Sequence, residues 1–204
     1  MSTQVISFDH ITGLVLAGGQ GSRMGADKAA LELGGETLTA RAQRYLAART
    51  SQVWLSANQT QQGHLFAQVL ADDPVYGAQA GPLAGVATAL AALTTPWLLT
   101  LPVDIPWLPN DLHVRLAEAV RSTPAKVAYA RTKDRDHPLC MLVHQSLAAS
   151  LHHYLLGGDR KVLLWLHAQQ AVPVTFNGDE ALFANLNTLE DLAWARRRLG
   201  EYLE

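Results

Sequence analysis

The chain has 204 residues, of which 49% are hydrophobic and 17% are charged, a composition typical of one globular domain with a sizeable core. Its formal net charge of -2 excludes the basic excess of a nucleic-acid-binding protein, so a phosphate ligand would need a few well-placed cations. The single cysteine, Cys140, excludes a disulfide framework, and neither a signal-peptide pattern nor a membrane-spanning apolar run is found, so we expect a cytoplasmic protein.

Short apolar runs alternate with segments of helical period, and this alternation predicts an α/β fold with a mostly parallel sheet. The first strand is the apolar run 11–16, which suits a sheet covered on both faces. Further along this half we predict strands at 53–55, about 69–70 and 97–101, and helices that begin at Thr37, at Gly81-Pro82 and near Leu112.

The second half has a looser pattern. We predict strands at 127–130, 139–143 and 183–187, with a charged separator at 131–137, and helices over 147–155, after Gly158 and after Thr188. Thr188 and Asp191 have the spacing of a capping box, which marks the start of the final helix. Arginines 196–198 then fall near the end of that helix, where they suit a solvated helix terminus.

A glycine-rich segment follows the first strand and reads L-A-G-G-Q-G-S-R-M-G-A-D-K over residues 16–28. Its position predicts that it lies at the carboxyl edge of the sheet, where open α/β folds bind ligands. Glycines let backbone N–H groups approach an anion, Arg23 adds a planar fork for phosphate oxygens, and Lys28 adds a compact charge. Together these features indicate a polyphosphate cradle.

Two common glycine motifs do not fit this segment. The dinucleotide fingerprint would need a glycine where Met24 stands, and the P-loop would need Ser or Thr after Lys28, where the chain has Ala29. An NAD-dependent oxidoreductase is therefore disfavoured.

Asp104 directly follows the apolar strand 97–101 and lies between Pro102 and Pro106, which restrict the backbone of the turn. A carboxylate held at the end of a strand suits Mg²⁺, which takes few protein ligands and leaves positions for substrate phosphates. The same position also suits a plain turn residue.

Asn58 and Asp73 close the second and third predicted strands, so both are expected to face the same crevice as the glycine-rich segment. The Asn58 amide can read a base or a ribose, and the Asp73 carboxylate can accept from the N1–H and N2–H groups of guanine. Asp72 is the alternative to Asp73, because the loop length could shift the match by one residue. Each of these residues could also be a turn or cap residue.

The segment from Leu16 to Lys28 matches every fixed position of L-A-G-G-x-x-x-R-M-G-x-D-K, and therefore resembles the signature of the molybdenum cofactor guanylyltransferase (MobA-like) family. The resemblance extends from Ile11 to about Leu199. It implies a three-layer Rossmann-like nucleotidyltransferase fold, with residues 1–10 as a tail and 11–204 as one domain. The nucleotide half would cover about 11–110 and the acceptor half about 111–204.

The resemblance implies transfer of GMP from GTP to molybdenum-bound molybdopterin, with Mg²⁺ on Asp104 and pyrophosphate released. The implied catalytic residues are Arg23, Lys28 and Asp104. The implied nucleotide contacts are Leu16, Ala17, Gly18, Gly19, Arg23, Lys28, Asn58, Asp73, Gly81, Pro82 and Asp104. The R-x-H-P and N-x-N-T elements imply acceptor contacts at Arg135, His137, Asn185 and Asn187. Proteins that deliver molybdopterin, or chaperones of molybdoenzymes, would be partners, whereas nucleic acid and membranes would not.

Three alternatives compete with this interpretation. The first is another nucleotidyltransferase: a cytidylyltransferase for the same cofactor, or an enzyme acting on a sugar or alcohol phosphate. The pair Gly18-Gly19 followed by Asp27-Lys28 favours the guanylyl branch. The second is a protein that holds a nucleotide without turning it over, and the third is the oxidoreductase already disfavoured. Lys28 and Asp104 together argue against binding alone, which would not need the metal.

Overall fold

The structure is a computed structural model that describes residues 6–17, 31–58, 62–78, 80–178 and 181–201. Its strands are β1 (Ile11–Leu16), β2 (Glu32–Leu33), β3 (Glu36–Thr37), β4 (Gln52–Ser56), β5 (Gln68–Leu70), β6 (Trp97–Pro102), β7 (Val127–Arg131), β8 (Asp136–His144) and β9 (Val172–Thr175). Its α-helices are α1 (Leu38–Ala47), α2 (Pro82–Ala92), α3 (Leu112–Arg121), α4 (Ala148–Leu156), α5 (Val162–Ala168) and α6 (Leu189–Glu201).

The central sheet has the strand order β5-β4-β1-β6-β8-β7-β9. Strand β8 runs antiparallel to β6 and β7, and the other pairings in this sheet are parallel. The small hairpin β2–β3 lies outside it. The predicted α/β fold with a mostly parallel sheet is therefore confirmed.

Helices cover both faces of the sheet, which makes three layers. One apolar cluster packs β1 residue Val15 with α1, α3 and α6, and the other packs its neighbour Leu14 with α2, α4 and α5. All six residues of β1 are buried for this reason, as the continuous apolar run predicts. Each fully buried leucine contributes about 1.5–3 kcal/mol through its removal from water.

Polar caps begin several helices where the sequence predicts them. Thr37 accepts a hydrogen bond from the Ala40 amide at 3.1 Å and starts α1. At the start of α6, the Asp191 amide donates to the Thr188 hydroxyl at 3.1 Å, and the Asp191 carboxylate accepts from the Thr188 amide at 2.8 Å. The predicted capping box is confirmed.

The predicted strand at 183–187 is wrong, since this segment has irregular structure. Phe183 has a φ of +65°, which interrupts an extended chain. The amides of Phe183 and Leu186 instead donate to the carbonyls of Trp107 and Asp104, at 3.0 and 2.8 Å. The last strand of the sheet is β9, which the sequence pattern did not indicate.

The charged separator between β7 and β8 is shorter than predicted. Both strands extend into it, and Arg131 and Asp136 at their ends form an ion pair with a nitrogen–oxygen distance of 2.6 Å. The turn itself spans only residues 132–135. Among the helices in the described ranges, none has the length and apolar character needed to cross a membrane.

Candidate active site

Four neighbouring parallel strands, from the edge strand β5 inward to β6, end at the same level. Leu16, the last residue of β1, lies opposite Ser56 of β4 on one side and Pro102 of β6 on the other. Ser56 in turn lies opposite Leu70 of β5. Because parallel strands share an edge, the residues that follow these four strand ends are brought together.

The residues that follow these strand ends include Asn58 after β4, Asp72 after β5 and Asp104 after β6. Neighbouring strands lie about 4.8 Å apart, so the three spacings from β5 to β6 span about 14 Å. A ligand of the size of a nucleoside triphosphate can span this width.

The glycine-rich segment leaves the sheet from the middle of this edge. Leu16 ends β1, and the Ala17 amide still donates to the Ser56 carbonyl at 3.0 Å. Residues 18–30 lie outside the described residues, so the roles of Gly18, Gly19, Arg23 and Lys28 stay predictions. The segment starts between the polar residues after β4 and β5 and the carboxylate after β6.

Asn58 and Asp72 form a reciprocal pair. The Asn58 amide nitrogen donates to Asp72 Oδ2 at 3.2 Å, and the Asp72 backbone amide donates to Asn58 Oδ1 at 2.9 Å. These two bonds fix the orientation of the Asn58 side chain and place the Asp72 carboxylate beside it. Of the two carboxylates that the sequence offers as partners of Asn58, the structure therefore pairs Asp72 with it.

Asp73 has a different environment. Its carboxylate accepts from the Val75 amide at 2.9 Å and caps the 3-10 helix Pro74–Tyr76, while its own amide donates to the Thr88 hydroxyl at 3.2 Å. Asp73 therefore has the contacts of a helix-cap residue, which was the alternative role that the sequence allowed for it. Of the two adjacent carboxylates, Asp72 is the one that lies beside Asn58.

Helix α2 approaches the strand ends closely at Gly85. A Cβ atom built on Gly85 would lie 2.0 Å from Ser56 Oγ, 3.0 Å from Ser56 Cβ and 3.5 Å from Asp72 Oδ1. Gly81, with a φ of +77°, and Pro82 begin the same helix one turn earlier. The predicted contacts Gly81 and Pro82 therefore lie at the N-terminal end of α2, which is the end close to the Asn58–Asp72 pair. The N-terminus of a helix favours a negative charge nearby.

We expect Gly85→Ala to lower the free energy of unfolding by about 1–3 kcal/mol, because rotation of Ser56 relieves its Oγ contact but not its Cβ contact. Denaturant unfolding measures this loss. The double variant with Ser56→Ala should recover part of the stability, since it removes the hydroxyl but keeps the Cβ. Equal stability of Gly85→Ala and the wild type would show that α2 does not approach the strand end this closely.

Asp104 is half-buried and contacts the segment 181–187. Its Oδ2 accepts from the Asn185 amide nitrogen at 3.4 Å, and its carbonyl accepts from the Leu186 amide at 2.8 Å. Complete burial, together with the negative charge of Asp104, raises the pKa of the Cys140 thiol. Cys140 is therefore a protonated core residue. The structure brings together Asp104 and Asn185, which are 81 residues apart in sequence.

His137 packs against the segment 181–187, which contains Asn185. Its side chain is only 6% exposed, and its ring stacks on Phe183 with centroids 4.7 Å apart and planes 19° apart. Burial, together with the charge of Arg135, lowers the pKa of His137 to about 4. The ring is neutral near pH 7 and packs against the segment, while Arg135 is exposed in the turn 132–135.

Asn187 is the remaining predicted acceptor residue. Its backbone amide donates to the Asp191 carboxylate at 2.8 Å, which ties it to the start of α6. Residues 185–187 do not form a strand, so the prediction that a strand directs Asn185 and Asn187 to the same face is wrong. Asn185 is the one placed against Asp104.

The depressed pKa of His137 predicts a pH dependence of stability. Above the ordinary histidine pKa of about 6.5, His137 is neutral in both the folded and the unfolded protein. As the pH falls from about 6.5 to about 4, His137 gains a proton in the unfolded protein but not in the folded one. We therefore expect the wild type to lose on the order of 1–3 kcal/mol of stability across this range from this residue. His137→Gln should have a flatter profile, as denaturant unfolding at each pH would show. If stability changed with pH in the same way in the wild type and in His137→Gln, this would contradict the burial of a neutral imidazole.

The donor set at Asp104 fits a hard divalent cation. A carboxylate is paired there with a side-chain amide, and within the described ranges no group of three or more His, Cys, Asp or Glu could hold a metal. Mg²⁺ and Mn²⁺ suit such a site, because they accept one or two carboxylates and take the other oxygens from substrate. A closed nitrogen- and sulfur-rich zinc site does not fit these residues.

Some site residues carry no signal that sequence reasoning could use. Ser56 and Thr88 are common residue types at ordinary positions, and only the close approach of α2 gives them a role. Phe183 supports His137 through a backbone conformation that its residue type does not favour.

Comparisons with known proteins identify the family of the chain. The family model described as MobA-like NTP transferase domain matches residues 13–172. The chain is 37% identical over 194 residues to the molybdenum cofactor guanylyltransferase of Yersinia pseudotuberculosis, covering 94% of this chain and 98% of that protein. It is 40% identical over 195 residues to the protein of the same name from Cupriavidus metallidurans, covering 92% and 95%.

Solved structures share the fold at lower identity. Molybdopterin-guanine dinucleotide biosynthesis protein A from Archaeoglobus fulgidus matches with a TM-score of 0.74 and 22% identity, over 93% of this chain and 99% of that one. A Mycobacterium tuberculosis protein solved in complex with manganese matches with a TM-score of 0.66 and 18% identity, over 92% and 98%. The predicted nucleotidyltransferase fold is confirmed, and the chain belongs to the MobA-like NTP transferase family.

Proposed function

We propose that this protein transfers GMP from GTP to molybdenum-bound molybdopterin and releases pyrophosphate. Its family, and relatives of that activity that match almost its full length, support the reaction. The observation that carries the proposal is the single sheet edge that holds the Asn58–Asp72 pair, the end of β1 and the Asp104–Asn185 pair side by side. The cytidylyl and sugar-phosphate alternatives have no comparable support.

The base is read at the β4–β5 side of this edge. Asp72 accepts from the N1–H and N2–H groups of guanine, and Asn58 holds the carboxylate in position through the two bonds described above. This replaces Asp73 as the base reader, because the Asp73 carboxylate caps the next turn. Gly81 and Pro82 lie beside the nucleotide at the start of α2.

The reaction takes place at the β1–β6 side. A terminal phosphate oxygen of the acceptor attacks the α-phosphorus of GTP, the bond from this phosphorus to the bridging oxygen breaks, and pyrophosphate leaves with the electron pair. The acceptor phosphate is largely ionised at pH 7, so no general base is required. Catalysis therefore depends on positioning and on neutralising charge.

Asp104 would hold Mg²⁺ at this side, and the bound ion would supply charge neutralisation to the phosphates. Asn185 orients the Asp104 carboxylate through their hydrogen bond. Arg23 and Lys28 are proposed to add positive charge from the glycine-rich segment, together with the backbone amides of Gly18 and Gly19.

The acceptor binds on the β8 side of Asp104. Asn185, Asn187 and the exposed Arg135 are proposed to contact it, and His137 acts through Phe183 by supporting the segment that carries Asn185. We place the reaction in the cytoplasm, in exchange with proteins that deliver molybdopterin or receive the finished cofactor.

Thermal unfolding with Mg²⁺ and different nucleotides tests the base assignment. GTP at about 100 times its Kd should raise the free energy of unfolding by about 2.7 kcal/mol, whereas CTP and ATP at the same concentration should raise it much less. An equal shift with CTP would favour the cytidylyl alternative. The lack of any shift with GTP would contradict the proposed site.

A further inference from the structure

The loop that follows Asp72 is bonded to the acceptor half of the molecule. Within the 72–78 loop, Tyr76 is buried, and its hydroxyl lies 2.9 Å from Nδ1 of His152 on α4. The two rings meet edge to face, with centroids 5.7 Å apart and planes at 70°. The hydrogen bond and the ring contact fix Tyr76 against one side of α4.

Arg160 makes a second connection between the same elements. Its Nη2 donates to the Tyr76 carbonyl at 2.8 Å, and its Nη1 donates to the carbonyls of Leu155 and Asp159 at 2.6 and 2.7 Å. One guanidinium thus joins the loop to the end of α4 and to the connection that leads to α5. Only a planar fork with several donors can reach the three carbonyls together.

The opposite side of the 72–78 loop is held by α2. The Asp73 amide donates to Thr88, and the Asp73 carboxylate caps the turn that contains Tyr76. The loop therefore lies between two helices, and its first residue, Asp72, is the carboxylate beside Asn58. The turn that contains Tyr76 is bonded directly to Asp73, the neighbour of Asp72, through the Val75 amide and the Tyr76 amide.

We infer that Tyr76, His152 and Arg160 are positioning residues that hold the 72–78 loop where Asp72 reads guanine, so that α4 of the acceptor half sets nucleotide affinity and base selectivity. The inference rests on the proposed function. Hydrogen bonds to a base require placement to within about 0.5 Å, and a loop released from one side samples other positions. The apparent affinity for GTP then falls by the fraction of molecules that keep the competent position.

The effect should be selective in two ways. Inosine triphosphate lacks the 2-amino group of GTP, so its binding depends less on Asp72 than the binding of GTP does. Loosening the loop should therefore weaken the binding of GTP more than the binding of inosine triphosphate. The rate at saturating nucleotide should change little, because none of the three residues belongs to the phosphate side at Asp104.

Tyr76→Phe and Arg160→Lys test the inference with small changes. The first removes only a hydroxyl, and the second keeps the charge but loses the fork. We expect each to raise the Kd for GTP by about tenfold, with a smaller change for inosine triphosphate and a kcat within about twofold of the wild type. His152→Ala should behave like Tyr76→Phe, because it also removes the bond to the Tyr76 hydroxyl. His152→Gln should restore part of the affinity that His152→Ala loses, because the glutamine amide can also bond to that hydroxyl.

The same helix offers matched controls. Tyr154→Phe removes a hydroxyl bond to the Lys161 carbonyl, and His153→Gln changes the exposed neighbour of His152. Both controls should bind GTP like the wild type. Unfolding curves for every variant separate a loss of stability from a loss of positioning.

Two results would overturn the inference. One is a normal Kd for GTP in folded Tyr76→Phe and Arg160→Lys, and the other is an equal loss for GTP and inosine triphosphate, which indicates a merely structural role. Failure of the proposed function has a different signature. In that case the wild type itself would bind GTP no better than inosine triphosphate and CTP.

Discussion

Asp104→Asn is expected to lower the rate of GMP transfer by on the order of 10³-fold, because removing a metal ligand costs several kcal/mol of transition-state stabilisation. The substitution keeps the size of the side chain and an oxygen that can accept from Asn185, but it removes the charge that we propose to hold Mg²⁺. The fold should be preserved, since the carbonyl of residue 104 still accepts from Leu186. Pyrophosphate release at saturating GTP and Mg²⁺ measures the effect.

Asp134→Asn is the matched control, because it makes the same chemical change in the exposed turn 132–135. Its turnover should equal that of the wild type. Asp104→Ala should lose at least as much activity as Asp104→Asn, and its unfolding transition reports whether the segment 181–187 stays in place. Normal pyrophosphate release by Asp104→Asn would remove the metal role of this carboxylate.

The adjacent pair Asp72 and Asp73 gives the second large effect. Asp72→Ala removes the carboxylate beside Asn58, and we expect the affinity for GTP to fall by about 10–100-fold, the value of a hydrogen bond to a charged group. Its preference for GTP over ATP should fall with it. Titration calorimetry with both nucleotides measures the change.

Asp73→Ala is expected to have a different consequence. It removes the cap on the 3-10 turn and should cost about 1 kcal/mol of stability, with a much smaller change in the preference for GTP. The two variants differ by one position in the chain, so they control for each other. Loss of the preference in Asp73→Ala, but not in Asp72→Ala, would return base reading to Asp73.

The sequence predicted those elements whose structure depends on residues that are close together in the chain. The continuous apolar run of β1 requires burial on both faces, and the structure provides it. Thr188 and Asp191 complete a cap within one turn of chain, so their spacing is sufficient to identify the start of α6. The motif over 16–28 likewise indicates phosphate chemistry, although its geometry lies outside the described ranges.

Long-range contacts could not be predicted in this way. Segment 183–187 is irregular because its amides bond to carbonyls near Asp104, about 80 positions earlier, and no local period records that partnership. The choice between Asp72 and Asp73 depends on how β4 and β5 align, since this register decides which carboxylate meets Asn58. The bonds from Tyr76 to His152 and Arg160 likewise depend on the packing of separate elements.

The central claim is the transfer of GMP, and the most direct measurement is mass detection of the product. The purified protein is incubated with GTP, Mg²⁺ and molybdenum-loaded molybdopterin, and parallel reactions contain CTP or lack the acceptor. We predict a guanine dinucleotide of the cofactor together with one equivalent of pyrophosphate, formed with GTP and only when the acceptor is present. Consumption of GTP without this dinucleotide, or a cytosine dinucleotide formed in preference to it, would contradict the account.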